Sequence, residues 1–270
     1  MKRKYILVIT SFSVVLLGFA VVFNVPSQTR SEIYQGAPTV FVHGYKGTEN
    51  SFGSMLERFE EDYHWGNKGL VYYISEEGKI RDYNLSKGRE VPTFVQVIFE
   101  DNRASFAETA DWLAKAVSHM KKHYFMDAIN LVGHSMGGIV ALKYVQDYQG
   151  RAYPEVNKLI AIGSPFAGIF SPEYFHIHHD PAAKDLKPNS VALQIIHENS
   201  VPKQLEVFNI GSTGDTVAVP ESVLALESIV PEDQLEQEII QDRALGHSML
   251  HESRKVDQLI YSFLWQDRNQ

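Results

Sequence analysis

Along the chain, apolar and polar positions fall into three regimes. From Tyr5 to Val25 almost every residue is apolar, and no charge appears between Lys4 and Arg30. Residues 26–37 then read as a short polar linker. Beyond it, short apolar runs alternate with amphipathic stretches to the end, with no repeat and no low-complexity tract. Runs rich in β-branched and aromatic residues predict strands over 38–42, 70–74, 95–99, 128–132, 158–162 and 205–210. The glycine-punctuated residues 78–92 fit a hairpin. Phe52, Met55, Leu56 and Phe59 recur at helical spacing, predicting a helix over 51–63 that Ser51 can cap. Phe106, Ala110, Leu113, Val117 and Met120 share one face of a long helix over 105–124. A further helix follows residue 135 and runs to about Tyr148, and the last covers about 252–265. Strands alternating with helices predict an α/β fold with a mostly parallel sheet and helices on both faces.

Composition narrows the partners. The chain has 25 Lys+Arg against 33 Asp+Glu, a formal net charge of −8. All four charges of the first thirty residues are basic (Lys2, Arg3, Lys4, Arg30), so residues 31–270 are more acidic than that figure implies. A domain that acidic is a poor candidate for gripping nucleic acid through its phosphates, so no nucleic-acid partner is expected. There are no cysteines, which rules out disulfides, thiolate nucleophiles, Fe–S clusters and Cys-ligated zinc. The length of 270 residues suits one large domain over 31–270 behind an N-terminal segment over 1–30.

The apolar run over 5–25 would span roughly 30 Å as a helix, the thickness of a bilayer's hydrocarbon core. Its basic flank predicts a cytoplasmic N-terminus with the remainder exported. The small residues of Gly18-Phe19-Ala20 fit signal-peptidase cleavage and a secreted product. The continuation through Val21, Val22, Phe23 and Val25 exceeds an ordinary signal core and favours an uncleaved membrane anchor facing outward.

The candidate chemistry begins at Gly133-His134-Ser135-Met136-Gly137. This G-x-S-x-G pattern directly follows an apolar strand and directly precedes a helix, the context that a nucleophile elbow requires. Ser135 would stand at the C-terminal edge of the sheet, with Gly133 and Gly137 allowing strand and helix to approach. An oxyanion needs two preorganised N–H donors; Met136 and, from the loop His43-Gly44-Tyr45-Lys46-Gly47, the Tyr45 amide are placed to supply them. His43 is read as a support of that loop. Asp215, in Gly211–Pro220, is placed as the acid, with Asp180 and Asp185 as weaker candidates. His247 precedes the final helix where the base belongs, and His251, expected in that helix's first turn, is its rival. This set supports an acyl-enzyme mechanism without metal or organic cofactor.

These four segments, HGYKG, GHSMGG, GDTVAVP and GHSMLHE, resemble an α/β-hydrolase of lipase/esterase type. With the N-terminal apolar segment, the chain is similar to the Gram-positive cell-surface α/β-hydrolases long held as a domain of unknown function. The resemblance covers about residues 38–265 and implies an exported serine hydrolase acting on small-molecule or lipid carboxylic esters. It also supports His247 as base, since in bacterial lipases the catalytic His follows a Gly and precedes a short apolar step into the last helix. The same triad serves an acyltransferase or an amidase/peptidase, and a hydrolase scaffold can also be a non-catalytic surface binding domain. Ser164 to about Asp185 is longer than a minimal lipase needs, compatible with a lid or with plain decoration. Within it, His176-Ile177-His178-His179-Asp180 has no spacing that sets all four ligand types on one face, so polar surface is the simpler reading than metal. Tyr72, Tyr73, Phe166, Phe170, Tyr174 and Phe175 are candidates for an acyl pocket, although core and rim packing accounts for them more simply.

Overall fold

The computed structural model describes residues 37–85 and 93–266. The predicted anchor over 5–25, the linker start and part of the 78–92 excursion lie outside the described residues. Eight strands form one sheet: β1 (Thr39–Val42), β2 (Asn67–Ile74), β3 (Ile80–Asn84), β4 (Thr93–Phe99), β5 (Ala128–His134), β6 (Glu155–Ile162), β7 (Glu206–Ser212) and β8 (Leu235–Ile240). Their spatial order is β3-β2-β4-β1-β5-β6-β7-β8. Every neighbouring pair is parallel except β2 with β3. The expected mostly parallel α/β sheet is therefore present; the antiparallel hairpin is made by β2 with β3, so it starts before the 78–92 stretch expected to hold one, and residues 86–92 lie outside the described residues.

Period-two alternation decides which residues cover which face. On β1, Val40 and Val42 join one core while Phe41 joins the other. The first core is roofed by α2 (Phe106–Tyr124) and α3 (Met136–Asp147); all five predicted apolar positions of α2 are buried. Ser105 caps α2 in a reciprocal capping box with Glu108. The second core takes α1 (Gly53–Glu57) and the final helix α8 (Arg254–Trp265). Between α3 and α8 lie four short helices: α4 (Pro172–Ile177), α5 (Pro181–Asp185), α6 (Val191–Glu198) and α7 (Pro220–Leu224).

Two predicted helices differ in detail. The 51–63 helix is composite: a 3-10 turn at Glu49–Ser51 capped by Thr48, then α1, then a π-turn at Arg58–Asp62. Phe52, Met55, Leu56 and Phe59 are nonetheless all buried as their spacing requires. The wider turn leaves Phe59 in the core while the Arg58 guanidinium meets buried Asp257 of α8 at 2.7 Å. The final helix begins at Arg254, because Ser253 caps it; His247–Glu252 forms a separate 3-10 segment. His251 thus precedes the helix instead of lying in its first turn. Strand β8 was not foreseen. Its sequence Leu-Glu-Gln-Glu-Ile-Ile is half-exposed at the sheet edge, and only pairing with β7 marks it as a strand.

The chain enters at β1, fills the β4/β2 side, and then crosses to β5 on β1's other flank. The loops leaving β1 and β5 therefore flank the point where strand order reverses, the crevice where open α/β sheets bind ligands.

Candidate active site

Strand β5 delivers Ser135 to the C-terminal edge of the sheet, and α3 begins at the next residue. Ser135 adopts φ 58° and ψ −129°, a strained conformation for a residue with a side chain. What holds it there is close approach of backbone on both sides. A Cβ on Gly133 would lie 2.4 Å from the Gly137 carbonyl carbon and the Gly138 nitrogen, and one on Gly137 would lie 2.1 Å from the Val42 carbonyl oxygen. Ser135 N–H donates to the Ile162 carbonyl at 2.8 Å, anchoring the turn to β6.

Three loops then converge on Ser135. His247 Nε2 lies 2.9 Å from Ser135 Oγ, and His247 Nδ1 lies 2.7 Å from Asp215 Oδ2. The Asp215 side chain is fully buried, and its Oδ1 accepts the Val217 and Ala218 N–H groups at 2.8 and 2.9 Å. The carboxylate is thus aimed by its own loop and presents a single oxygen to the imidazole. With Nδ1–H donated to Asp215, Nε2 is left as the acceptor for the Ser135 hydroxyl.

The β1 loop closes the other side. Gly44 packs so tightly that a Cβ there would lie 2.8 Å from the His134 carbonyl oxygen and the Ser135 Cβ, and 3.3 Å from the Met136 nitrogen. The main chain of 44–45 therefore runs directly beside the elbow. Among the described residues, neither the Tyr45 nor the Met136 N–H donates to any acceptor. His43 supports the loop from beneath, as expected: Nε2 accepts the Phe99 N–H at 3.0 Å, so Nδ1 carries the hydrogen and donates to the Gly44 carbonyl at 2.9 Å. Burial lowers its pKa to about 4. Gly47 must lack a side chain, since a Cβ would sit 2.4 Å from His43 Nδ1.

The rival candidates go elsewhere. His251 faces His134 (ring centroids 4.7 Å) and Phe52 (6.3 Å), away from the serine, and burial lowers its pKa. Asp180 Oδ2 accepts the Tyr45 hydroxyl, and Asp185 Oδ2 accepts the Phe106 N–H at the start of α2. Neither carboxylate meets a histidine of the Ser135 site, because each is spent on ordering the 164–185 segment. His178 Nδ1 lies 3.0 Å from Lys46 Nζ, and among the described residues no group of three or more His, Asp or Glu is arranged to hold a metal ion. Of the aromatics, Tyr72 and Phe166 are buried in the core, Tyr73 bonds Glu49, and Phe170 is 41% exposed.

Four contributors carried no assigned role in the sequence reading. His134 is buried; its Nε2 lies 3.1 Å from the His247 carbonyl, a bond it makes as donor that pins the histidine loop to the elbow. Burial, followed by the neighbouring His247 and His251 rings, drives its pKa well below the ordinary value. Gly163 follows β6 at φ 54°, and a Cβ there would lie 2.7 Å from Leu250 and 3.2 Å from Asp215 Oδ2. A glycine directly after a strand was the available signal. Arg58 Nη2 donates to the His251 carbonyl at 3.1 Å and Ser54 to the Glu252 carboxylate, holding the 247–252 segment from the other side. No local pattern announces those partners.

Comparison with known proteins gives the arrangement a context. Residues 26–267 match the family described as alpha/beta hydrolase of unknown function (DUF915). A Listeria innocua gene product of solved structure shares 26% identity and a TM-score of 0.72, covering 87% of this chain and 96% of its own. A protein described as a cell surface hydrolase of Lactobacillus plantarum superposes at TM-score 0.64 with 19% identity (85% and 90% covered). The mature lipase of Bacillus licheniformis does so at 0.56 with 15% identity (84% and 91% covered); these last two likenesses are of fold. Proline iminopeptidase of Lactobacillus delbrueckii subsp. bulgaricus is 27% identical over 131 residues, which span 48% of this chain and 37% of that protein's length.

Proposed function

From the premise that this chain belongs to that α/β-hydrolase family, we propose that it is an exported serine hydrolase of carboxylic esters. The observation that carries the reading is the unbroken chain Ser135 Oγ–His247 Nε2 at 2.9 Å and His247 Nδ1–Asp215 Oδ2 at 2.7 Å. In this mechanism His247 takes the Ser135 proton as Oγ attacks the ester carbonyl. The tetrahedral oxyanion is received by the Tyr45 and Met136 amides, whose N–H groups have no acceptor among the described residues. His247 returns the proton to the departing alcohol, Asp215 holds the imidazole's tautomer and steadies its charged form, and water then releases the acyl group from Ser135 by the same base. None of these steps calls on a metal or organic cofactor. Export rests on the basic flank Lys2-Arg3-Lys4 and the apolar run behind it. An uncleaved run would tether the domain to the outer membrane face, and a cleaved one would release it. Among the described residues no helix is long and apolar enough to cross a membrane.

The test is labelling of the full chain with a fluorophosphonate probe, with the adduct mapped by mass spectrometry. A single adduct on Ser135, lost in Ser135→Ala and His247→Ala, is expected. Folded wild-type protein that takes no label sinks the catalytic reading and leaves a surface binding domain. A second reading, amide or peptide cleavage, is favoured by the partial likeness to proline iminopeptidase. Turnover of a proline arylamide above that of p-nitrophenyl esters would select it; transfer of the acyl group to an added alcohol in preference to water would select an acyltransferase.

A further inference from the structure

The side chain of Tyr45 is as constrained as its main chain. Its hydroxyl donates to Asp180 Oδ2 at 2.5 Å, across 135 positions of sequence. Asp180 is itself fixed: Oδ1 accepts the Ala183 N–H at 3.0 Å as the N-cap of α5, and the Arg103 guanidinium stands 3.7 Å from Oδ2. Arg103 also accepts the Ala182 N–H through its carbonyl at 3.0 Å, binding the same segment a second time. The Tyr45 ring packs against Tyr174 and His178 (centroids 6.2 and 5.3 Å). Burial, reinforced by the Asp180 carboxylate, raises the phenol's pKa above its ordinary range, so it remains a donor throughout the working pH range.

The position of the Tyr45 amide needs such a hold. The turn continues into Lys46 at φ 58°. Its inner side is braced by His43 and by Asn102, whose carbonyl accepts the Lys46 N–H and whose Nδ2 donates to the Gly47 carbonyl, both at 2.9 Å. On its outer side Gly44 and Gly47 offer no side chain; the part-buried tie to the 164–185 segment is the Tyr45 phenol on Asp180, beside the exposed contact of Lys46 Nζ with His178 Nδ1 at 3.0 Å. An oxyanion donor misplaced by a fraction of an ångström loses much of its worth.

We propose that the Tyr45 hydroxyl is a positioning group: its bond to Asp180 holds the Tyr45 N–H at the oxyanion, so the 164–185 segment acts in catalysis through this latch. The inference rests on the reading above that the Tyr45 amide receives the oxyanion. It also gives Asp180 a role that neither the acid nor the metal reading of its neighbourhood provides.

The experiment uses the full chain, Tyr45→Phe, Asp180→Ser and the double variant. The phenylalanine keeps the ring and the main-chain amide. The serine keeps an N-cap hydroxyl for Ala183 but is too short to reach Tyr45. Measurements are kcat and KM on a p-nitrophenyl ester, inhibition by a trifluoromethyl ketone that fills the oxyanion position, and the thermal midpoint. Tyr45→Phe is expected to lower kcat about tenfold with KM within twofold, and to weaken the ketone by the same factor. Asp180→Ser should match it, and the double variant should be no worse than either single one. A kcat and ketone affinity unchanged in Tyr45→Phe overturn the proposal, as do fully additive losses in the double variant or a loss confined to KM. Wild type that fluorophosphonate fails to label overturns the esterase reading and this inference together. Labelled, active wild type beside an unaffected Tyr45→Phe overturns this inference alone.

Discussion

The two halves of the candidate site are held by different physics. Ser135 is set by exclusion: glycines at 133 and 137 admit backbone where any Cβ would collide, and the serine is left in a conformation that the surrounding chain imposes. His247 is set by hydrogen bonds gathered from afar, with Asp215 on its ring, His134 on its carbonyl and Arg58 four residues on. The first half is therefore coupled to folding, since what shapes it also joins β1, β5 and α3. The second is coupled to chemistry, since its bonds orient a ring while contributing little to the core.

That contrast is open to attack, beginning where the effect is largest. Asp215→Asn retains the acceptor for the Val217 and Ala218 amides but turns an NH2 toward His247, forcing the wrong tautomer. The expected loss is about 10^3- to 10^4-fold in kcat with an unchanged thermal midpoint; a large fall in the midpoint would show that the second half is structural after all. On the opposite side, Gly137→Ala drives a methyl against the Val42 carbonyl. It should cost about 3 kcal/mol of stability or more, read by urea unfolding. A variant as stable as wild type, but inactive, would break the assignment of the elbow to folding.

Acid should act on the buried histidines that support both halves. His43, with a pKa lowered to about 4 by burial, and His134, well below 6.5, are neutral when folded and regain ordinary values when unfolded. Between those values the unfolded chain binds protons that the folded chain does not, so stability is complete above about pH 6.5 and declines as pH falls toward 4. For His43 the loss approaches about 3 kcal/mol at its lower end. Thermal midpoints at pH 7.5 and 4.5 measure it, and His43→Gln should narrow the gap; an equal gap in that variant would contradict the attribution. The smallest effect belongs to His251→Ala. With no contact to Ser135 it should change kcat by less than about threefold while lowering the midpoint through lost packing. A loss comparable to that of His247→Ala would return the base role to His251.

The same division explains what was legible beforehand. The elbow was visible because its constraint is local: apolar strand, Gly-x-Ser-x-Gly and apolar helix follow one another without interruption, and steric exclusion acts between residues a few positions apart. The apolar run that marks the 38–42 strand and the helical spacing of Phe52, Met55, Leu56 and Phe59 were legible for the same reason, and Val40, Phe41, Val42 and all four helical residues are buried. Asp215 and His247 stood out through their glycine-flanked loops, but nothing in the letters joined them to Ser135 at bonding distance. Strand β8 escaped because an exposed edge strand draws its identity from its partner.

Local rules acting over a few residues, the periods of strand and helix and the places where only glycine fits, set the α/β class, the order of most elements and the candidate nucleophile. Long-range packing alone decided the remainder. It chose His247 over His251, since a 3-10 turn rotates one toward the serine and the other toward Phe52 and His134. It moved Asp180 from the acid's candidates to the Tyr45 hydroxyl. It also spent His134 and Arg58 on the carbonyls of the histidine loop. Those choices depend on contacts between segments more than a hundred residues apart, and a linear pattern carries no term for them.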